Sequence, residues 1–257
     1  MVDIHSHILW GLDDGSDSRE TSLTMLKIAA DAGTTDIVAT PHANSQYVFQ
    51  PEVIAERIRD LQSAREGESP RLHRGCDFHL SYENIEDALL NPRKYTIDGG
   101  SFLLVEFADL HVPLSVAKIF DRLMERGMFP IITHPERNPI LSRKLDQLTA
   151  LVERGSFVQV TAKSLEGGFG NGPRAAAWKM LSLGIVHFVA SDCHDPEYRP
   201  PRLDAACKRV EAKMGKEAAE LLFTTNPAAV IAGGGPSSIL RVGPGHKRSL
   251  WRGFWKR

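Results

Sequence analysis

Strand-like and helix-like stretches alternate along most of this 257-residue chain, and no single motif limits the fold as much. Short apolar runs stand at 2–7, 36–40, 72–79, 102–107, 129–133, 157–161 and 186–191. Between them apolar residues recur with helical spacing at 18–32, 51–65, 82–90, 114–126, 144–154, 174–183 and 202–214. Gly33, Gly127, Gly155 and Gly184 stand where helices should end. Strands separated by helices pair in parallel. Seven such units in a chain of this length predict an α/β fold, closed or nearly closed into a barrel.

In such a barrel the carboxyl ends of the strands meet at one rim. The rim positions here read His5 and His7, then His42, Asp77, Glu106, His134, Thr161, and finally Asp192 with His194. Six of the seven carry metal-ligand types, which ties the pattern to strand ends rather than to composition. Side chains at i and i+2 of a strand share a face, so His5/His7 and Asp192/His194 each aim two ligands at one spot. Imidazole and carboxylate without thiolate suit Mn²⁺, Fe or catalytic Zn²⁺. About eight ligands exceed the needs of one ion, so two or three ions sharing a bridging carboxylate are expected. His73, His111, His187 and His246 lie off the pattern and read as structural. His79, two residues after Asp77, is a spare ligand.

Composition narrows the class. At 42% hydrophobic residues the chain can bury a full core, and it has no apolar run of membrane-spanning length. Its three cysteines, Cys76, Cys193 and Cys207, form no disulfide framework. With no signal-type segment ahead of the first strand, a cytoplasmic setting is expected. Six Lys/Arg and no acid lie in 236–257, which leaves residues 1–235 acidic, unlike a nucleic-acid-binding domain. Residues 236–257 carry Trp251, Phe254 and Trp255 and read as a flexible tail, either solvated or touching an anionic membrane surface.

Several segments also match a known family in order and spacing: Asp3-Ile4-His5-Ser6-His7, Gly11-Leu12-Asp13-Asp14-Gly15-Ser16, Ala39-Thr40-Pro41-His42, His134-Pro135-Glu136-Arg137, Gln159 to Leu165, and Ser191-Asp192-Cys193-His194. The chain resembles the PHP-superfamily phosphoesterases, and among them the manganese-dependent bacterial protein-tyrosine phosphatases of capsule and exopolysaccharide systems. The resemblance covers residues 1 to about 232. It implies a distorted (β/α)7 TIM-like barrel, the PHP fold, with a cluster of three ions, manganese foremost. By position it implies one ion on His5, His7 and Asp192, with Asp77 bridging to a second on Glu106 and His134. His42 and His194 would hold the third, with Asp13 or Asp14. Arg137 and Arg199 match the family's phosphate-binding arginines. It also implies a phosphotyrosine-bearing protein as partner, a bacterial tyrosine kinase of polysaccharide export; contact with the inner membrane is expected only through the basic, aromatic tail. Two positions depart from the pattern: Asp77 replaces the usual bridging Glu, and Ala43 replaces a second histidine after His42.

These residues suit phosphate monoester hydrolysis, which needs hydroxide at neutral pH, charge on three equatorial oxygens and help for the leaving oxygen. Arginine supplies a bidentate clamp, and Asp14 is the candidate proton donor. Arg137 could instead form a rim salt bridge with Glu136 or a neighbour. Cys193 and Arg199 have the Cys-x5-Arg spacing of thiol phosphatases, but Asp195 and Glu197 would repel phosphate there and Pro196 removes an amide. Two rival readings remain: a PHP phosphoesterase for histidinol phosphate or a nucleotide, and a non-catalytic metal-binding scaffold.

Overall fold

A computed structural model describes residues 1–64 and 70–238. Its strands are β1 (Val2–Ser6), β2 (Asp36–Ala39), β3 (His42–Ala43), β4 (Arg71–Arg74), β5 (Asp77–His79), β6 (Phe102–Glu106), β7 (Phe129–Thr133), β8 (Phe157–Thr161) and β9 (Phe188–Ala190). They form two sheets, ordered β1-β2-β4 and β3-β5-β6-β7-β8-β9, with every pairing parallel.

Two of the predicted strand paths are bent. The path through β2 turns at Thr40-Pro41, where proline has no amide to donate, and resumes as β3. The predicted strand 72–79 divides at Gly75-Cys76 into β4 and β5. A Cβ on Gly75 would stand 2.6 Å from Val38 Cγ1, so a larger residue would push β2 away from the bend. Hydrogen bonding continues across the bends, from Gly75 N to Ala39 O (2.8 Å) and from Asp77 N to Pro41 O (3.2 Å). On the other flank of β1, Asp192 N donates to His5 O and His7 N to Cys193 O, both at 2.9 Å.

Alternation sorts the strand side chains into two layers. Ile37, Phe78, Leu103, Val105, Ile132, Val158, Val160 and Val189 pack in the cluster that also contains the helices' apolar residues. Val38, Phe102, Leu104, Ile131, Phe188 and Ala190 form a second cluster on the opposite faces, with Val2 and Ile4 of β1. Burying each large side chain of this kind contributes roughly 1.5–3 kcal/mol. Farther along those same faces stand Asp77, Glu106, Thr133, Gln159 and Thr161. The inner layer thus changes from apolar to ligand-bearing toward the carboxyl ends.

β1 reaches this arrangement through a bulge. Three steps on β1 from Asp3 to Ser6 oppose two on β2 from Ile37 to Ala39. The extra residue resets the alternation, so Val2 and Ile4 stay in the apolar cluster while His5 and His7 face the ligand-bearing end.

Helix Tyr82–Leu90 has the predicted bounds; Ser81 Oγ accepts from Asn84 N (3.2 Å) at its start. Helix Arg19–Asp31 opens on Ser18, which accepts from Thr21 N (3.1 Å). Helices Ala162–Glu166, Lys216–Glu220 and Asn226–Ile231 and the π-helical turn Leu221–Thr225 lie where none was expected. The expected tail begins tied to the body: Ser237 N donates to Asn226 Oδ1 and Asn226 Nδ2 to Ser237 O, both at 2.8 Å. Its remainder, 239–257, lies outside the described residues. No described helix is long and apolar enough to cross a membrane.

Candidate metal centre

All eight candidate ligands come together. Four overlapping groups place their ligand atoms within 4.8 Å of one another: His5/His7/Asp192, His5/Asp77/His134, His42/Asp77/Glu106 and His7/Asp14/His42/His194. Asp77 joins two of them, its Oδ2 lying 3.5 Å from His5 Nε2 and 3.2 Å from His42 Nδ1. The strand bend at Gly75-Cys76 immediately precedes it, and the shorter carboxylate still reaches both sides. His134 Nε2 is 3.6 Å from Glu106 Oε1, and His79 Nδ1 stands farther out, 3.8 Å from Glu106 Oε2. Among the described residues, two of the three non-glycine residues with positive φ are ligand candidates, His134 (33°) and Asp192 (52°). A small cavity of about 50 Å³ opens between Glu106, His134 and Arg137.

The structure separates the two aspartates of the Gly-Leu-Asp-Asp-Gly segment. Asp13 stands behind His7: its Oδ2 meets His7 Nδ1 at 2.6 Å and accepts from His42 N at 3.0 Å. Asp14 faces the front, with Oδ1 3.4 Å from His42 Nε2 and 3.6 Å from His194 Nε2. Gly15 closes the turn over His7, where a Cβ would come within 2.2 Å of the His7 carbonyl oxygen. Gln159 Oε1 meets His5 Nδ1 at 2.9 Å and leaves His5 Nε2 facing the cluster. Asp13 and Gln159 as orienting groups were not foreseen. Gln159 was accessible to reasoning, because it sits two residues before rim position Thr161 on the same strand face.

The donor set fits cations on one internal observation. Asp77 is fully buried, and neither of its oxygens accepts a hydrogen bond. An ionised carboxylate in that setting requires positive charge beside it. Burial pushes the Asp77 carboxyl up, but His5 and His42 overrule it and hold it well below the usual range. Burial likewise pushes His42 down, and Asp14 with Asp77 brings it up to about 11; Asp13 does the same for His7, at about 9. His42 holds Asp14 below its ordinary value. In contrast, burial and the neighbouring His7 push His194 down to about 3. Carboxylates thus crowd His7 and His42, a concentration of negative charge that divalent ions would neutralise.

The arginines flank this cluster on one side. Arg137 Nη1 and Arg199 Nη2 both donate to Asp192 Oδ2, at 2.5 and 2.6 Å, while Asp192 Oδ1 stands 3.5 Å from both His5 and His7 Nε2. Of the alternative salt bridges open to Arg137, the one to a neighbour forms, with Asp192, and Glu136 is not its partner. Glu136 instead accepts from Thr161 N (2.9 Å) and Ser164 Oγ (2.7 Å). Thr161, the rim position without a ligand type, starts helix Ala162–Glu166. Cys193 is fully buried, and burial pushes its thiol up, so the Cys-x5-Arg spacing forms no thiolate cradle. His73 and His187 lie outside the cluster, in an ion-pair network and against the Val158 amide.

The model of a family described as capsular polysaccharide synthesis, CpsB/CapC, matches residues 1–232. The chain belongs to the CpsB/CapC family. Among similar proteins, the tyrosine-protein phosphatase YwqE of Bacillus subtilis is 33% identical over 220 residues, 84% of this chain and 86% of YwqE. The tyrosine-protein phosphatase CpsB of Streptococcus agalactiae is 28% identical over 245 residues, 90% and 98% of the two chains. A solved structure from work on YwqE of B. subtilis and CpsB of Streptococcus pneumoniae, described as metal-dependent tyrosine phosphatases, superposes with a TM-score of 0.86 at 30% identity. It covers 93% of this chain and 97% of that one. The lactonase Lmo2620 of Listeria monocytogenes shares the fold alone, with a TM-score of 0.57 at 15% identity, covering 90% of this chain and 94% of the lactonase.

Proposed function

We propose that this CpsB/CapC protein is a metal-dependent protein-tyrosine phosphatase whose substrate is phosphotyrosine on a protein, a bacterial tyrosine kinase of polysaccharide export. The observation that carries the reading is Asp77, a buried carboxylate without a hydrogen bond at the junction of the imidazole groups. The hydrogen bonds running from β4/β5 through β2/β3 and β1 to the segment after β9 support reading the two sheets as one distorted (β/α)7 barrel. In this reading residues 1–235 form that barrel and 236–257 a flexible tail.

His5, His7 and Asp192 would hold one divalent ion, Asp77, Glu106 and His134 a second, and His42 with His194 a third, manganese being the expected metal. Bound there, the ions would supply hydroxide near neutral pH and neutralise phosphoryl oxygens. Arg137 and Arg199, which both donate to Asp192 Oδ2, would clamp the phosphoryl group. Losing such a clamp costs on the order of 10²–10³ in rate. Asp14, whose Oδ1 lies near His42 Nε2 and His194 Nε2, would be the group that exchanges a proton with the leaving oxygen. A phenolate leaving group has little need of a donor. A cytoplasmic site of action fits the buried, unpaired Cys76 and Cys193.

The test couples metal analysis to a substrate panel of phosphotyrosine peptide, phosphoserine peptide, histidinol phosphate and a nucleotide. Preferred hydrolysis of the phosphotyrosine peptide by Mn²⁺-loaded protein, lost on chelation, is expected. Preference for histidinol phosphate would move the reading to a small-molecule phosphoesterase. Silence on the whole panel would leave a metal-binding scaffold.

A further inference from the structure

Three cations gather around one ring that neither the metal cluster nor the sequence motifs include. Arg137 Cζ lies 4.8 Å from the centroid of Phe169, Arg199 Cζ 5.7 Å and Lys163 Nζ 5.8 Å. The two arginines also converge on a single oxygen of Asp192. Guanidiniums that share one carboxylate oxygen repel each other, and an aromatic face is one of the few uncharged groups that attracts both.

The chain builds the ring's platform from the same segment that carries the motif residues. Glu136, next to Arg137, holds the start of helix Ala162–Glu166 through Thr161 N and Ser164 Oγ. The chain leaves that helix in a tight turn, Gly168 N donating to Lys163 O and Gly170 N to Gly167 O, both at 2.9 Å. The Lys163 stem lies across Gly168, where a Cβ would stand 2.4 Å from Lys163 Cγ. Phe169, partly buried, therefore sits on a fixed support that also brings up the third cation.

We infer that Phe169 is the positioning residue of the phosphate-binding pole: its ring holds Arg137 and Arg199 side by side, with Lys163 beside them, so that an arriving phosphoryl group meets a preformed clamp. The inference rests on the phosphatase reading for its substrate and on geometry alone for its anion. In Phe169→Leu the apolar bulk stays and the ring face goes. Full-length protein loaded with Mn²⁺ is titrated with inorganic phosphate by calorimetry and assayed on a phosphotyrosine peptide. Phosphate affinity should fall and KM rise about tenfold, with metal content unchanged and kcat within about threefold. Phe169→Tyr, which keeps the ring, should restore both. In an Arg199→Ala background Phe169→Leu should cost much less than in the wild type, because the ring acts through the arginine.

Unchanged phosphate affinity in Phe169→Leu, an additive cycle with Arg199→Ala, or no rescue by tyrosine would each overturn the proposal. Wild-type protein that binds phosphate, with the expected variant response, yet never cleaves phosphotyrosine would sink the phosphatase reading and support the positioning role. Wild-type protein that binds no phosphate would overturn both.

Discussion

Asp13 and Asp14 are adjacent in sequence yet face different tasks, and the difference is set by which histidine nitrogen each one meets. Asp13 holds the inner nitrogen of His7 and the amide of His42, so its loss should loosen ligands rather than remove one. Asp13→Ala is expected to weaken manganese affinity by about 10–100-fold while activity recovers at saturating metal; metal titration followed by activity measures it. Cys193 gives the opposite expectation. Buried, with its thiol pushed up, it is expected to stay out of the chemistry, so Cys193→Ala should keep turnover within about threefold, whereas a chelator should abolish it. Loss of activity in Cys193→Ala with metal retained would contradict the site described here. At this scale the gathering of the candidate ligands at one place was legible from their spacing, because strand ends converge wherever helices separate parallel strands. Their orienting partners were not, since hydrogen bonds such as Gln159 to His5 link residues 154 apart in sequence.

Elements with strong punctuation at both ends were read correctly, as the matching bounds of Phe129–Thr133, Phe157–Thr161 and Tyr82–Leu90 attest. Where the fold bends a strand to serve the site, periodicity misled: the bulge in β1 and the break before Asp77 both arise from long-range packing. Pro41 and Gly75 were the available local signals. One tie at the opposite end of the strands has a pH signature. His73 in β4 pairs with Asp98 of the turn Ile97–Gly99 (2.7 Å) and with Asp36 of β2 (3.0 Å), near Arg71 and Arg74. Asp98 first, against burial and helped by Asp36, raises its pKa above the ordinary 6.5. A folded-state pKa above the unfolded value stabilises fully below about 6.5 and fades as pH climbs through the raised value. His73→Gln should therefore lose on the order of 1 kcal/mol near pH 6 and less near pH 9. Urea midpoints at both pH values would show it, and an equal loss at each would rule the charged form out.

Across the molecule, the candidate ligands span positions 5 to 194, so ion binding is expected to be coupled to folding of both sheets rather than of one loop. Divalent metal at about 100 times its Kd should raise unfolding free energy by about 2.7 kcal/mol, and chelation should remove that gain. Thermal melts with and without Mn²⁺ test this; a melting point indifferent to metal would mean that the ligands do not act together. His5 and Asp192, far apart in the sequence, meet through adjoining backbone. During synthesis, then, the first two imidazoles leave the ribosome long before the carboxylate that completes their set. A product terminated before Asp192 would lack that carboxylate and is expected to be inert.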